Sequence, residues 1–355
     1  MSVLIYGAYG YTGRLITEHA MEQDLQPILA GRNGDKTRAI AREFDLDARV
    51  FDLDSPRDIR TALDGVEVVL HCAGPFIHTS APMVQACIDT GTHYLDITGE
   101  IDVFEAVAAR DEEAKAAEVM LCPGVGFDVV PTDCIAKHLA EQLPNATTLE
   151  IAFMGLGRLS RGTALTAVSN LGEGGKVRRN GQIETVPPAW TTRKVDFGRG
   201  PKTVVSIPWG DVSTAYHSTG IPNVTTYTYL PENAITLLRL SRYLSWLLQW
   251  EPVKKLLEAF VRMQPAGPDE EERESGITLV WGRATNDSGE EVTAQLQGPE
   301  GYTFTAMTAV AAAQHVLDGG ATPGYQTPST AFGSHFVRHF DGVEMSAPVA
   351  TNGQA

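Results

Sequence analysis

The segment that most constrains the fold of this 355-residue chain is Gly7-Ala8-Tyr9-Gly10-Tyr11-Thr12-Gly13. It follows the apolar run Val3-Leu4-Ile5-Tyr6 and opens a helix-like pattern from about Thr12 to Glu22. Glycine permits a sharp strand-to-helix turn and lets backbone approach a pyrophosphate with no Cβ in the way. The helix N-terminus behind the turn offers free N–H groups and a partial positive charge to an anion. The alternative is packing alone, with Gly13 letting the helix lie close on the strand. A glycine turn between a first strand and a first helix is the context that favours a dinucleotide site.

The alternation continues. PILAG (27–31), ARVFDL (48–53), VEVVLHCA (66–73), HYLDIT (93–98) and VMLCPG (119–124) are short, β-rich and apolar on both faces. Helical patterns separate them. Strands of that kind belong in a parallel sheet covered on both sides by helices. The expected fold class is α/β: an N-terminal Rossmann-type, doubly wound parallel sheet.

The second strand ends Gly31-Arg32-Asn33, where an NAD site usually places an acid for the ribose 2′-hydroxyl. A carboxylate repels the 2′-phosphate of NADP, whereas a guanidinium attracts it and bonds it through two N–H groups. Arg32 therefore points to NADP(H), the alternative being a solvent-exposed loop arginine. Asp52, ending the third strand, is placed to reach an adenine or to cap the turn before Ser55-Pro56. Short-chain reductases with this glycine spacing use Tyr-x-x-x-Lys, but no tyrosine here has lysine four residues on. A proton donor must come from elsewhere.

Three further segments, VVLHCAGPF (68–76), HYLDITGE (93–100) and PGVGFDVVPTD (123–133), carry a family resemblance. With the glycine turn and Ala30-Gly31-Arg32, the chain resembles the saccharopine dehydrogenase-like oxidoreductases, in particular the branch containing trans-acting enoyl reductases. GPDEEERE (267–274), GYTFTA (301–306) and GGATPGYQTPSTAFG (319–333) agree with it. The resemblance implies that Gly7, Gly10, Tyr11, Thr12 and Gly13 cradle a pyrophosphate. It implies that Arg32, flanked by Gly31 and Asn33, holds a 2′-phosphate. Ala73, Gly74, Pro75 and Phe76 would lie along the ribose and nicotinamide, and Gly99, Glu100, Phe127 and Asp128 would face the reaction cleft. Tyr9 is a departure, since many members of the resembled family carry a small hydroxyl residue there; the backbone groups around it keep their implied binding roles, but a side-chain contact to phosphate is not implied.

After Asp133 the pattern changes to half-buried alternating strands: LEIAFMG (149–155), TVVSIPW (203–209), VTTYTYL (224–230), GITLVWGRAT (276–285) and VTAQLQG (292–298). Asn180-Gly181 and Asp287-Ser288-Gly289 mark hairpins. This predicts a second, α+β domain on a mixed or antiparallel sheet over 133–304, for substrate or oligomerisation. The first domain spans 1–132, with the chain from about 305 to 345 returning to it, and 346–355 forms a fraying tail. Gly162 to Asn170 reads as a helix opened by Arg161, whose first turn, with Gly162 and Thr163, is a candidate substrate contact. Arg158, Arg161, Arg178 and Arg179 are candidates for an anionic substrate, against ordinary surface charge as the simpler reading for Arg178 and Arg179.

Ala234 to Met263 is helical by pattern, broken at Pro252, and carries five basic and two acidic residues in a chain of net charge −16. Its Tyr243, Trp246, Leu247, Leu248 and Trp250 exceed one packing stripe. The readings open to it are a core helix pair, a homodimer face, a wall for a lipid-like substrate, or contact with a membrane surface or acyl carrier.

The acidic balance argues against broad nucleic-acid binding. No signal-like segment opens the chain, and no apolar run approaches a membrane span. A cytoplasmic location is expected, with surface membrane association left open. Four scattered cysteines suggest reduced thiols. No metal is expected: His335 and His339 lack an acidic partner in zinc-enzyme spacing. The expected activity is NADP(H)-dependent reduction of a C=C or C=O bond in an acyl or lipid-like substrate, with Glu100, Asp128 or Tyr216 as proton-donor candidates. The alternatives are saccharopine-type imine chemistry on an amino acid, and a non-catalytic NADP-binding scaffold at a lipid surface.

Overall fold

The structure, a computed structural model, describes residues 2–155, 158–169 and 171–352. Asn170 and the last three residues of the expected tail lie outside them. The chain divides into two compact units. One runs to Val130 and resumes over Tyr302–Gly333; the other takes Pro131–Gly301 and the chain from Ser334.

In chain order the elements up to the crossing between units are β1 (Val3–Tyr6), α1 (Tyr11–Glu22), β2 (Ile28–Gly31), α2 (Gly34–Phe44), β3 (Ala48–Val50) and α3 (Pro56–Ala62). There follow β4 (Val68–His71), α4 (Phe76–Thr90), β5 (His93–Asp96), α5 (Ile101–Ala108), α6 (Asp111–Ala116), β6 (Met120–Cys122) and α7 (Val130–Gln142). The second unit continues with β7 (Thr148–Gly155), α8 (Arg161–Ser169), β8 (Gly175–Arg179), β9 (Gln182–Val186), β10 (Thr192–Asp196), β11 (Pro201–Ser206) and α9 (Asp211–Thr219). Then come β12 (Asn223–Tyr229), α10 (Glu232–Ser241), α11 (Ser245–Leu248), α12 (Glu251–Arg262), α13 (Glu270–Ser275), β13 (Ile277–Thr285) and β14 (Glu290–Pro299). The chain returns through α14 (Gly301–His315), β15 (Gly324–Tyr325) and α15 (Pro328–Phe332), and ends with β16 (Glu344–Met345) and β17 (Val349–Asn352).

The first unit is a parallel seven-stranded sheet in the order β15-β6-β5-β4-β1-β2-β3. Alternate residues of β1 explain why its strands read as unbroken apolar runs. Val3 and Ile5 join a core with Ile16, Ile40 and the α14 residues Ala309 and Val310. Leu4 and Tyr6 join the opposite core with Ile59, Met83 and Val103. Both faces are therefore covered, the doubly wound arrangement expected. The order reverses between β1 and β4, the switch point where such sheets open a crevice at their carboxyl ends. The short β15, with no apolar run to announce it, adds an edge strand beside β6.

The second unit is a ten-stranded mixed sheet with main path β10-β11-β12-β7-β13-β14-β16. Among the described residues only β12 and β7 pair in parallel; the other pairs are antiparallel. The β8–β9 hairpin turns at Asn180 (φ 48°) and Gly181 (φ 80°), as the dipeptide predicts. At its centre Glu150 is buried and accepts from Arg193, from Arg283 Nη2 at 2.6 Å and from the Tyr227 hydroxyl at 3.2 Å.

Two expectations need correction. The tail after Met345 is not wholly frayed: Val349–Asn352 pairs with β14. The small polar residues that suggested fraying supply backbone hydrogen bonds equally well. The returning segment ends at Gly333 rather than about 345, because the chain from Ser334 contributes strands to the second sheet. Among the described residues, no helix is long and apolar enough to cross a membrane.

Candidate functional site

The carboxyl ends of β1, β2, β4, β5 and β6 gather most of the residues singled out in the sequence. Gly7 has φ +88°, a left-handed conformation, and a Cβ there would lie 2.9 Å from Ala73 Cβ across the switch point. Gly13 brings α1 onto the turn: its Cβ would lie 2.4 Å from the Gly7 carbonyl oxygen. Close packing is thus one reason for Gly13. It does not exhaust the turn, because the Gly10 N–H donates to Gly7 O at 2.9 Å and α1 starts with no side-chain cap and no acid in its first turn. The first-turn N–H groups at Tyr11, Thr12 and Gly13 thus retain the anion-binding character of an uncapped helix start.

Arg32 is exposed just past β2, and no ion pair or hydrogen bond engages its guanidinium among the described residues. Asn33 caps α2 by accepting from Lys36 N at 3.0 Å. The Tyr9 ring lies over Gly31, where a Cβ would stand 2.5 Å from a ring carbon, and the Lys36 ammonium sits 5.9 Å from the ring centroid. The Tyr9 ring is therefore accommodated by Gly31, and a second cation borders that ring. Asp52 bonds the N–H of Leu53 at 2.7 Å, while Ser55 caps α3. Asp52 thus makes a turn contact, and Ser55 rather than Asp52 caps α3.

At β4, the loop Ala73-Gly74-Pro75 contains a cis Gly74–Pro75 peptide and leads into α4 at Phe76. Glu100 is committed here. Its two carboxylate oxygens accept from the N–H groups of Phe76 and Ile77, each at 2.8 Å. With both oxygens acting as acceptors, Glu100 caps α4 and orients the loop. His71, not singled out from the sequence, bonds Ala73 O at 3.2 Å and Thr79 Oγ1 at 3.1 Å through Nε2. Burial holds its pKa down at about 4, so the ring is neutral.

Asp96, at the end of β5, was missed as well. It accepts from the Tyr94 hydroxyl at 2.7 Å, Thr98 N at 2.9 Å and Gly124 N at 2.8 Å, and burial raises its pKa to about 6. Its hydrogen bonds join the loops after β5 and β6. The signal was available in Tyr94-Leu95-Asp96: an acid closing a buried strand needs internal partners. Thr305 of α14 accepts from Phe127 N at 3.0 Å and Thr308 donates to Val125 O at 2.8 Å. The returning helix thereby fixes the loop that carries Phe127 and Asp128.

Asp128 lies beside Gly99, whose Cβ would approach Asp128 Oδ2 to 2.8 Å. Desolvation raises its pKa to about 7, the range of a general acid working near neutral pH. Of the proton-donor candidates, the structure brings Glu100 and Asp128 to the same strand ends. Tyr216 belongs to the second unit, on α9, with the Arg178 guanidinium 4.4 Å from its ring centroid. Arg178 is itself buried and donates to Val212 O and Gly181 O, so surface charge is not its role. Arg179 pairs with Glu184 and Arg158 with Glu272. Arg161, Gly162 and Thr163 form the first turn of α8, where Ser160 accepts from Thr163 N at 3.2 Å. His335 packs edge-on against His138, and His339 bonds Phe336 O. No disulfide joins the four cysteines, and no cluster of metal-ligating side chains occurs among the described residues.

Residues 3–122 match the sequence profile of the saccharopine dehydrogenase NADP binding domain. Over this region the chain is similar to NADP binding domains of that type. Among curated relatives it is similar to a saccharopine dehydrogenase-like oxidoreductase of Mus musculus, 24% identical over 52% of this chain and 49% of that one. It is also similar to a trans-acting enoyl reductase of Mycobacterium ulcerans, 30% identical over 42% of this chain and 38% of the relative. The matches thus span about half or less of the relatives' length. Among solved structures, apo saccharopine dehydrogenase (L-Glu forming) from Saccharomyces cerevisiae matches with TM-score 0.67 and 15% identity over 99% of both chains. The homospermidine synthase of Legionella pneumophila matches with TM-score 0.63 and 8% identity, covering 98% of this chain and 91% of that one. At these identities the structures show a shared fold.

Residues 3–122 fit an NADP(H) cofactor in particulars. The turn leaves no room for a Cβ at Gly7 or Gly13 and the α1 start is uncapped. The cation past β2 has no partner of its own among the described residues. A dinucleotide's pyrophosphate suits the first feature and a 2′-phosphate suits the second.

Proposed function

We propose that the protein is an NADP(H)-dependent reductase acting on a C=C or C=O bond of an acyl or lipid-like substrate. The observation that carries this reading is the open α1 start together with, at the carboxyl ends of the same sheet, the Asp128 carboxyl beside Gly99. Gly7, Gly10, Tyr11, Thr12 and Gly13 would hold the pyrophosphate, with Arg32 the 2′-phosphate and Ala73 to Phe76 the nicotinamide side. The bound cofactor supplies hydride. The chain's own part is to orient and to move a proton. Glu100 holds the β4 loop by its cap on α4, and Thr305 holds the β6 loop. Asp128, with its pKa near 7, donates the proton that accompanies reduction.

An enoyl or carbonyl substrate is favoured over an imine of an amino acid. An amino-acid substrate needs cations for its carboxylates, and three of the four candidate arginines are engaged within the second unit. The exposed apolar residues over 237–263 fit an acyl source. NADPH oxidation measured with 2-enoyl thioesters, long-chain ketones and 2-oxo acids with amines separates the readings. Turnover of the enoyl or keto substrates supports the proposal. Turnover of only the oxo acid plus amine replaces it with imine chemistry, and tight NADPH binding with no turnover replaces it with a scaffold.

A further inference from the structure

The second unit presents a concentrated apolar surface. Of the exposed large hydrophobic side chains among the described residues, nine lie between Leu237 and Met263 and five elsewhere. That concentration sets the segment apart, since single exposed apolar residues are ordinary on any surface. The core-helix reading of Ala234 to Met263 therefore fails: Ile235 is its only fully buried large apolar residue. On α10 the exposed residues Leu237, Leu240 and the following Leu244 recur at helical spacing. On α12, Leu256, Phe260 and Met263 form one stripe, 63–83% exposed. Val253, Leu257 and Val261, on the neighbouring stripe, are half-buried, so α12 is seated by one face and bare on the next. Between the helices stand Tyr243, Trp246 and Trp250, each more than half exposed.

Cations accompany this surface. Arg239, Arg242, Lys255 and Arg262 are all exposed, and Lys255 and Arg262 lie seven residues apart, on the α12 side next to the bare stripe. Arg239 bonds Thr192, Arg242 stacks on Tyr243, and Arg262 lies 3.5 Å from Glu258. The remaining acid is Glu251, at the α12 start. Over 234–263 the net charge is +3, from five basic and two acidic residues, in a chain of −16.

We propose that this face docks on an anionic lipid bilayer, lying in its interface. The helices are 10, 4 and 12 residues long, far short of the ~20 needed to span. An interfacial helix has this arrangement: an apolar stripe entering the acyl boundary, cations beside it at the head groups, and tryptophan at the level between. Charge decides the occupant. A two-fold contact with a second copy sets +3 against +3, whereas an anionic surface complements it. The inference does not depend on the reductase reading, because it uses no residue of the NADP binding domain.

The test is cosedimentation of the whole protein with phosphatidylcholine vesicles and with vesicles of phosphatidylcholine and phosphatidylglycerol in equal parts, with tryptophan emission and sizing on the same samples. Binding to the mixed vesicles, with a blue shift, and little binding to phosphatidylcholine alone is expected. Lys255→Gln with Arg262→Gln should weaken binding to the mixed vesicles about thirtyfold at low salt, for two cations lost. Both positions are exposed, so this variant should fold even if Trp246→Ala with Trp250→Ala does not. The Trp variant, if folded, should lose the blue shift. No binding to either vesicle overturns the proposal, as does charge-independent binding. A dimer converted to monomer by the Trp substitutions, without vesicle binding, assigns the face to a second copy. NADPH binding should be unchanged in both variants, which separates failure here from failure of the cofactor site.

Discussion

Replacing Arg32 by alanine tests the cofactor assignment at its most specific point. Arg32 is exposed past β2 and has no ion pair among the described residues, so its removal breaks no native pair. The α2 cap is made by Asn33, not Arg32, and should survive. A charge-assisted hydrogen bond contributes about 1.5–3 kcal/mol. Exposure places this one in the lower half of that range, because a solvent-exposed charge pair gains less in the high dielectric of water and costs side-chain entropy. The expected loss is about 1.5–2 kcal/mol, a ten- to thirtyfold weaker affinity for NADPH at ~1.4 kcal/mol per decade. NADH lacks the 2′-phosphate, so its affinity should change by less than about twofold on the same scale. Calorimetric titration of both nucleotides into both proteins gives the four constants required, and raising the salt should narrow the NADPH preference. Equal affinities in the unaltered protein, or an equal loss for both nucleotides in the variant, would refute the reasoning. Lys36, beside Tyr9, is the residue to examine if a preference persists.

Glu100→Ala removes both acceptors from the α4 start and should cost about 2 kcal/mol in unfolding free energy, with Glu100→Gln milder because one acceptor remains; denaturant titration checks the order. The Asp128 carboxyl has a raised pKa, so its proton is present below about 7 and lost above it. The reductive rate should fall about tenfold per pH unit beyond that point, and Asp128→Asn should be slow and flat with pH; a pH–rate profile unchanged by the substitution excludes Asp128 as donor. Glu150→Ala strips Arg193, Arg283 and Tyr227 of their shared partner in the second sheet and should destabilise by about 3 kcal/mol, the lower end for breaking a buried pair. A smaller loss, under about 1 kcal/mol, would mean that water replaces the carboxylate at those arginines.

The strands of the first domain and the glycine turn were legible in the sequence because both are local. A strand buried on two faces must be apolar throughout, as Val3 to Tyr6 is, and a turn with no room for Cβ at Gly7 and Gly13 must be glycine. The hairpin at Asn180-Gly181 was legible for the same reason. What the tertiary structure alone decided concerns partners distant in the chain. Glu100 looked like an acid in a cleft until α4, 24 residues earlier, supplied two N–H groups to it. Arg178 looked like surface charge until Tyr216, Val212 and Gly181 enclosed it. Thr305 had no visible role until the returning helix set it beside Phe127, 178 residues away. The helices over 234–263 could be recognised from periodicity, but not which apolar residues remain bare. Periodicity reports that a side chain has a face; which face another element covers is settled only when the chain has folded.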